Sequence, residues 1–170
     1  MSPHSNRVVE LKIPSELGYE KIAREAVATV AHRLNFSPEK IEDLKTAISE
    51  ACTNAIRYGS GSDARMKVVV VLTADEDKLD IIIKDPGASG APPEDIGIPD
   101  INGMIEGKQR LGGMGLYIIR ELVDEAGFIE SNDDYEGNQF RMVIYRVEDT
   151  TNVKSDDLSA SGTDNGGTTL

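Results

Sequence analysis

Two apolar, β-branched runs stand close together in the chain: MKVVVVLT from Met66 to Thr73, and LDIIIKD from Leu79 to Asp85. Only Ala74 and the polar stretch Asp75-Glu76-Asp77-Lys78 separate them. Runs this short and this rich in Val and Ile predict strands, and the brief polar link predicts a hairpin. The rest of the domain must supply the cover for that hairpin. Upstream, Val8 to Ile13 mixes β-branched and alternating residues and stops at Pro14, which predicts a first strand. Ser15 is placed to cap a first helix. Its apolar residues Ile22, Ala23, Ala26, Val27, Val30, Ala31 and Leu34 recur at helical spacing. Ser37-Pro38 reads as an N-cap followed by proline at the first helical position, so a second helix runs to about Tyr58, with Gly59 as its stop.

Downstream of the hairpin, Asp85 to Gly115 holds eight of the 16 glycines and four of the seven prolines. A stretch of that composition inside a domain predicts a functional loop or lid, at about 86–112. A third helix begins near Gly115 with LYIIRELVDEA. A last hairpin pairs Gly127–Asn132 with Gln139–Val147 through Tyr135-Glu136-Gly137-Asn138. The order β-α-α-β-β-lid-α-β-β predicts an α+β two-layer sandwich, its sheet mixed and mostly antiparallel, with helices on one face. The expected domain covers 7–148. The first six residues, and the Ser/Thr/Asp/Gly-rich tail at 149–170, are expected to be disordered.

Charge and composition exclude several functions. The 170 residues carry 18 Lys+Arg against 30 Asp+Glu, a formal net charge of −12. That balance argues against nucleic acid and against an anionic membrane surface, since both need clustered basic charge. Aromatics make up only 5%, with no Trp, too few for a base-stacking platform. The single Cys and two His rule out a disulfide framework and a Cys or His metal cluster. With no signal-like N-terminus and no run approaching a membrane span, the expectation is a soluble, cytoplasmic protein.

Three places carry chemistry. On the second helix, Glu50 and Asn54 are four residues apart and share one stripe beside the apolar face. There a carboxylate can accept a proton from an attacking hydroxyl, and an amide oxygen can hold a hard divalent cation. The same pair also suits a solvated helix face. Asp85-Pro86-Gly87 ends the apolar strand. Its carboxylate can bond a planar amine, with glycine admitting close backbone approach; it also spells an ordinary turn. Gly112, Gly113 and Gly115 run straight into an apolar helix. Glycines there expose unpaired N–H groups at the positive end of the helix dipole, a phosphate site, or else form a simple flexible connection. No strand precedes them as in a dinucleotide fold, and no Lys-Ser/Thr follows as in a Walker loop.

Taken in order, these segments resemble a family. ELKIPSELGYEKIAREAVATVA, FSPEKIEDLKTAISEACTNAIRYG, DKLDIIIKDPG and GGMGLYIIRELVDEAGF together are similar to the GHKL ATP-binding fold of histidine kinases, type II topoisomerases, Hsp90 chaperones and MutL proteins. Within it they resemble the small serine kinases that act as anti-sigma factors. The resemblance implies ATP and Mg²⁺ as cofactors. It implies a general base at Glu50, a Mg²⁺ ligand at Asn54 and an adenine-reading carboxylate at Asp85 with its neighbour Gly87. Gly113 and Gly115 match the glycines that close over the phosphates, and Gly112 extends that loop. Arg110 is the candidate for the γ-phosphate, or a solvated lid charge. The pattern departs from the family at Tyr58, where a His is usual, and at Gly90, which comes one residue late.

The implied partners are a sigma factor, a small anti-sigma factor antagonist phosphorylated on serine, and a second copy in a homodimer. Two alternatives stay open: a nucleotide-dependent sigma-binding module without kinase turnover, and a related switch kinase that releases a different regulator.

Overall fold

The computed structural model describes residues 7–87, 112–130 and 135–147. Arg110, Gly90, both termini and most of the expected lid lie outside them. The elements are β1 (Arg7–Pro14), α1 (Glu20–Arg33), α2 (Pro38–Asn54), a π-helical turn (Ala55–Gly59), β2 (Lys67–Ala74), β3 (Lys78–Asp85), α3 (Gly112–Leu122), β4 (Glu125–Ile129) and β5 (Asn138–Tyr145). The five strands form one sheet in the order β1-β2-β3-β5-β4. All four ladders are antiparallel, so the mixed sheet expected from the sequence has no parallel pair among the described residues.

Period-2 alternation decides what the sheet buries. Val68, Val70 and Leu72 on β2, Leu79, Ile81 and Ile83 on β3, and Phe140, Met142 and Ile144 on β5 face one way and are buried. Against them pack Ala23, Val27 and Ala31 of α1, Ile41, Leu44, Ile48 and Ala51 of α2, and Ile119 of α3, in one continuous core. Helix α2 packs between α1 and α3. On the opposite sheet face Arg141 bonds both oxygens of Asp80 through Nε at 3.0 Å and reaches Glu125 at 3.6 Å.

The cap of α2 is as the sequence predicts: Ser37 Oγ accepts from Lys40 N–H at 3.3 Å, and Pro38 opens the helix. Other boundaries differ. Ser15 does not cap α1; the N-cap is Tyr19, with no side-chain bond. Ser15 instead continues the β1–β2 ladder, its N–H donating to Met66 O at 3.1 Å, and its side chain is buried. Ile22 is 53% exposed, outside the core where its spacing placed it.

Helix α3 starts at Gly112, so the glycines form its first turn and do not precede it. It ends at Leu122, and β4 begins two residues ahead of the expected Gly127. The β4–β5 register sets that start. It pairs Ala126 with Met142 and Phe128 with Phe140, and both Ala126 and Phe128 pack on the core.

Candidate active site

Helix α2 presents Glu50 and Asn54 one turn apart, toward the start of α3. The two elements meet at Gly115. A Cβ built there would stand 2.9 Å from Glu50 Oε2, 3.2 Å from Asn54 Nδ2 and 3.5 Å from Asn54 Oδ1. Glycine lets the first turn of α3 cross this near both polar groups without displacing either side chain. The Asn54 side-chain nitrogen is buried and has no hydrogen-bond partner among the described residues. A buried orphan of this kind costs about 1–3 kcal/mol unless a ligand satisfies it. Gly112 and Gly113 lie in the same first turn, where helix N–H groups have no intrahelical acceptor.

After Asn54 the helix widens into a π turn. Ser60 closes it, both N–H and Oγ donating to the Ala55 carbonyl at 3.0 and 3.2 Å. Such turns recur at functional sites because they redirect the chain beyond them. This one presses Gly59 against Asp85: a Cβ on Gly59 would fall 2.0 Å from Asp85 Cγ and 2.2 Å from its Oδ1.

Asp85 shares the parity of Leu79, Ile81 and Ile83, so its carboxylate points to the helix side and is only 7% exposed. Its Oδ1 accepts from Gly87 N–H at 2.8 Å and from Asn138 Nδ2 at 3.2 Å. Gly87 makes the first bond by turning at φ +69°, a conformation that glycine adopts without strain. Burial pushes the Asp85 carboxyl above its ordinary value, and those two hydrogen bonds oppose the rise. Asn138 lies opposite Asp85 in the β3–β5 register, and Gly137 packs on the Asp85 backbone carbonyl.

The structure thus gathers Glu50, Asn54 and Gly115 at one end of the site and Asp85 with Gly87 at the other, joined by the π turn. Sequence reasoning missed Gly59, Gly137 and Asn138 as site residues, reading them only as a helix stop and a turn. Nothing local marks them, because each acts across the fold on Asp85. Among the described residues no three His, Cys, Asp or Glu side chains gather to hold a metal. Cys52, on the apolar side of α2, is fully buried, and burial pushes its thiol up to about 12.

A family model described as a histidine kinase-like ATPase domain matches residues 13–144. The serine-protein kinase RsbW of Bacillus velezensis is 34% identical over 154 residues, covering 86% of this chain and 93% of that protein. The chain belongs to the RsbW branch of the histidine kinase-like ATPases. RsbW of Oceanobacillus iheyensis is 32% identical over 156 residues, covering 90% of this chain and 96% of that one. RsbW of Bacillus pumilus is 39% identical over 123 residues, covering 69% and 75%. The crystal structure of the RsbU and RsbW domains of a Mycobacterium tuberculosis protein superposes with a TM-score of 0.56 at 16% identity. That match covers 81% of this chain and 32% of that one, and it supports the fold. The expected GHKL-type α+β fold is borne out. No described helix is long and apolar enough to cross a membrane.

Proposed function

We propose that this chain is a cytoplasmic anti-sigma factor and protein-serine kinase. In this reading it captures a sigma factor and uses Mg-ATP to phosphorylate a serine on a small antagonist protein. The observation that carries the reading is the crossing of α3 over Glu50 and Asn54 at Gly115. It puts a carboxylate, an amide and a helix N-terminus within one small volume. The names of the RsbW relatives supply the class of acceptor, a protein serine.

Asp85 reads the amino group of the adenine, its carboxylate held by Gly87 and Asn138 and backed by Gly59. The N–H groups of Gly112, Gly113 and Gly115 face the phosphates at the positive end of α3. Glu50 orients the acceptor serine and takes its proton as the hydroxyl oxygen bonds to the γ-phosphorus and the bond to the ADP oxygen breaks. Phosphoryl transfer needs mostly positioning and charge stabilisation, and this geometry provides both.

The donor set fits magnesium. One amide oxygen beside one carboxylate is too little for an all-protein cage, yet it suits an ion that keeps waters and takes its other ligands from phosphates. Bound at Asn54, Mg²⁺ would neutralise phosphate charge. The phosphate left on the antagonist carries about −1.5 to −2 charges. Repulsion from a chain of net charge −12 favours its departure. The family expectation of a homodimer belongs to the same reading.

Glu50→Gln tests it. Gln keeps the shape and helix compatibility but cannot take a proton. Phosphorylation of a candidate antagonist with labelled ATP is expected to fall about 10²–10⁴-fold. ATP binding and sigma-factor capture are expected to persist. Wild-type turnover by this variant would remove Glu50 from the catalytic role. An unmodified antagonist with the wild-type protein would favour the nucleotide-dependent binding module.

A further inference from the structure

Asp85 carries two carboxylate oxygens, and the fold encloses one of them. Oδ1 accepts from Gly87 N–H at 2.8 Å and from Asn138 Nδ2 at 3.2 Å. The π turn closes the same side, since a Cβ on Gly59 would fall 2.2 Å from Oδ1. Oδ2 accepts no hydrogen bond among the described residues, so it is the oxygen left for a ligand.

Asn138 reaches Oδ1 from another strand. It stands opposite Asp85 in the β3–β5 register, 53 residues further along the chain. It shares the parity of Phe140, Met142 and Ile144 and so faces the helices, as Asp85 does. Gly137 lets it come close: a Cβ there would fall 2.1 Å from the Asp85 carbonyl oxygen and force β5 away from β3. The Gly87 bond comes from the backbone and is fixed by the turn. Among the described residues, Asn138 supplies the one side-chain hydrogen bond that Asp85 accepts.

We infer that Asn138 is a positioning residue that sets base specificity: with Gly87 it holds one oxygen of Asp85 and so presents the other, as an ionised acceptor, to the 6-position of a purine, which selects a 6-amino base over a 6-oxo base. The inference rests on the adenine reading of Asp85 in the proposed function and adds what keeps that carboxylate an acceptor. An ionised carboxylate only accepts hydrogen bonds, so it matches an exocyclic amine and opposes a carbonyl oxygen. A protonated one places an O–H in the same spot and reverses both relations.

The choice of base is thereby tied to the proton on Asp85. Burial favours the neutral form, and the bonds from Gly87 and Asn138 favour the charged one. No charged side chain among the described residues tips this balance. Arg57 and Tyr58 on the π turn and Glu136 ahead of β5 are exposed. Lys84 has the opposite parity on β3, with its Nζ over the Tyr135 ring at 5.2 Å. Hydrogen bonds therefore decide the protonation state, and Asn138 gives the one that a substitution can remove.

Calorimetry of Mg-ATP and Mg-ITP binding to the full chain, from pH 5 to 8, tests this. The two nucleotides differ at the 6-position of the base, and the ratio of their affinities cancels the titration of the triphosphate they share. The wild type is expected to prefer ATP, with the preference falling as pH drops through the titration of Asp85. Asn138→Leu keeps the branching of the side chain and removes the donor. Its fall is expected about one pH unit higher. At a pH below both midpoints its ATP-to-ITP ratio is expected to be about tenfold lower than that of the wild type. Asn138→Ala, which adds no bulk, is expected to show the same shift. A residue that only supported the fold would weaken both nucleotides alike at every pH.

Equal ratios in the wild type and both Asn138 variants at every pH overturn the inference. Asp85→Asn separates it from the reading beneath it. There the amide oxygen takes the bonds from Gly87 and Asn138, the NH₂ group faces the base, and preference is expected to move toward ITP at every pH. If Asp85→Asn moves the ratio and the Asn138 variants do not, the role of Asn138 alone falls. If neither moves it, the adenine reading of Asp85 falls as well. Thermal unfolding without nucleotide reports that each variant is folded.

Discussion

At Asp85, folding stability and the proposed recognition of adenine pull in opposite directions. The carboxylate is buried on the helix side of β3 and its ionisation is disfavoured there by desolvation. A carboxyl whose folded-state pKa lies above its unfolded value adds stability below the unfolded value. That stability is lost as pH rises through the folded one. At neutral pH the wild type therefore carries the cost of a buried charge. Asp85→Asn removes this cost and keeps an acceptor for Gly87 and Asn138. Its denaturation midpoint at pH 7 is expected to equal or exceed that of the wild type, with any advantage gone below about pH 4. Its ATP affinity is expected to fall about 10–150-fold, the value of one charged hydrogen bond at roughly 1.5–3 kcal/mol. Calorimetry showing unchanged affinity would leave Asp85 as a turn residue. Position 85 was legible in the sequence because a carboxylate ends an apolar strand. Its surroundings were not, because Gly59 and Asn138 are each brought to it by other elements.

At the level of secondary structure, the π turn between α2 and β2 joins the two halves of the site. Without the extra residue in that turn, Gly59 would not meet β3 where it does. Gly59→Ala places a methyl group 2.0 Å from Asp85 Cγ, with the Ala55–Ser60 bonds holding the turn in place. Overpacking of this kind costs about 1–3 kcal/mol, here with displacement of Asp85. Chemical denaturation is expected to show that loss, and ATP affinity is expected to fall with it. A variant of wild-type stability and affinity would mean that the turn can yield. The helical periodicity of α2 was plain from its residues, as was its Ser37-Pro38 start. The π geometry was not, because the hydrogen-bond shift from four residues to five leaves the side-chain pattern nearly unchanged. The Ser15 and β4 boundaries failed for a related reason: pairing with a neighbouring strand overrode local signals.

Across the domain, the proposed site makes Mg-ATP a further link between α2, α3 and the end of β3, beside the direct approaches at Gly115 and Gly59. Mg-ATP at 100 times its dissociation constant is expected to add about 2.7 kcal/mol of stability. For a chain of this size that corresponds to a rise in Tm of roughly 5–10 °C. Chelating the metal with EDTA is expected to remove most of the rise, and Asp85→Asn to cut it by about half or more at the same ATP concentration. A scan with no shift at saturating Mg-ATP would count against the site. Residue order alone was enough to set the succession of elements and the inward faces of β2, β3 and α2. It was also enough to mark the three positions where polar chemistry interrupts apolar patterning. Those follow from periods of two and 3.6 residues, which act over a few neighbours. Three features came only from folding in three dimensions: Gly115 crosses Glu50 and Asn54, Gly59, Gly137 and Asn138 enclose Asp85, and β1 stands first in the order of the described strands. Each depends on the approach of segments far apart in the chain, which packing of the common core fixes and no local pattern encodes.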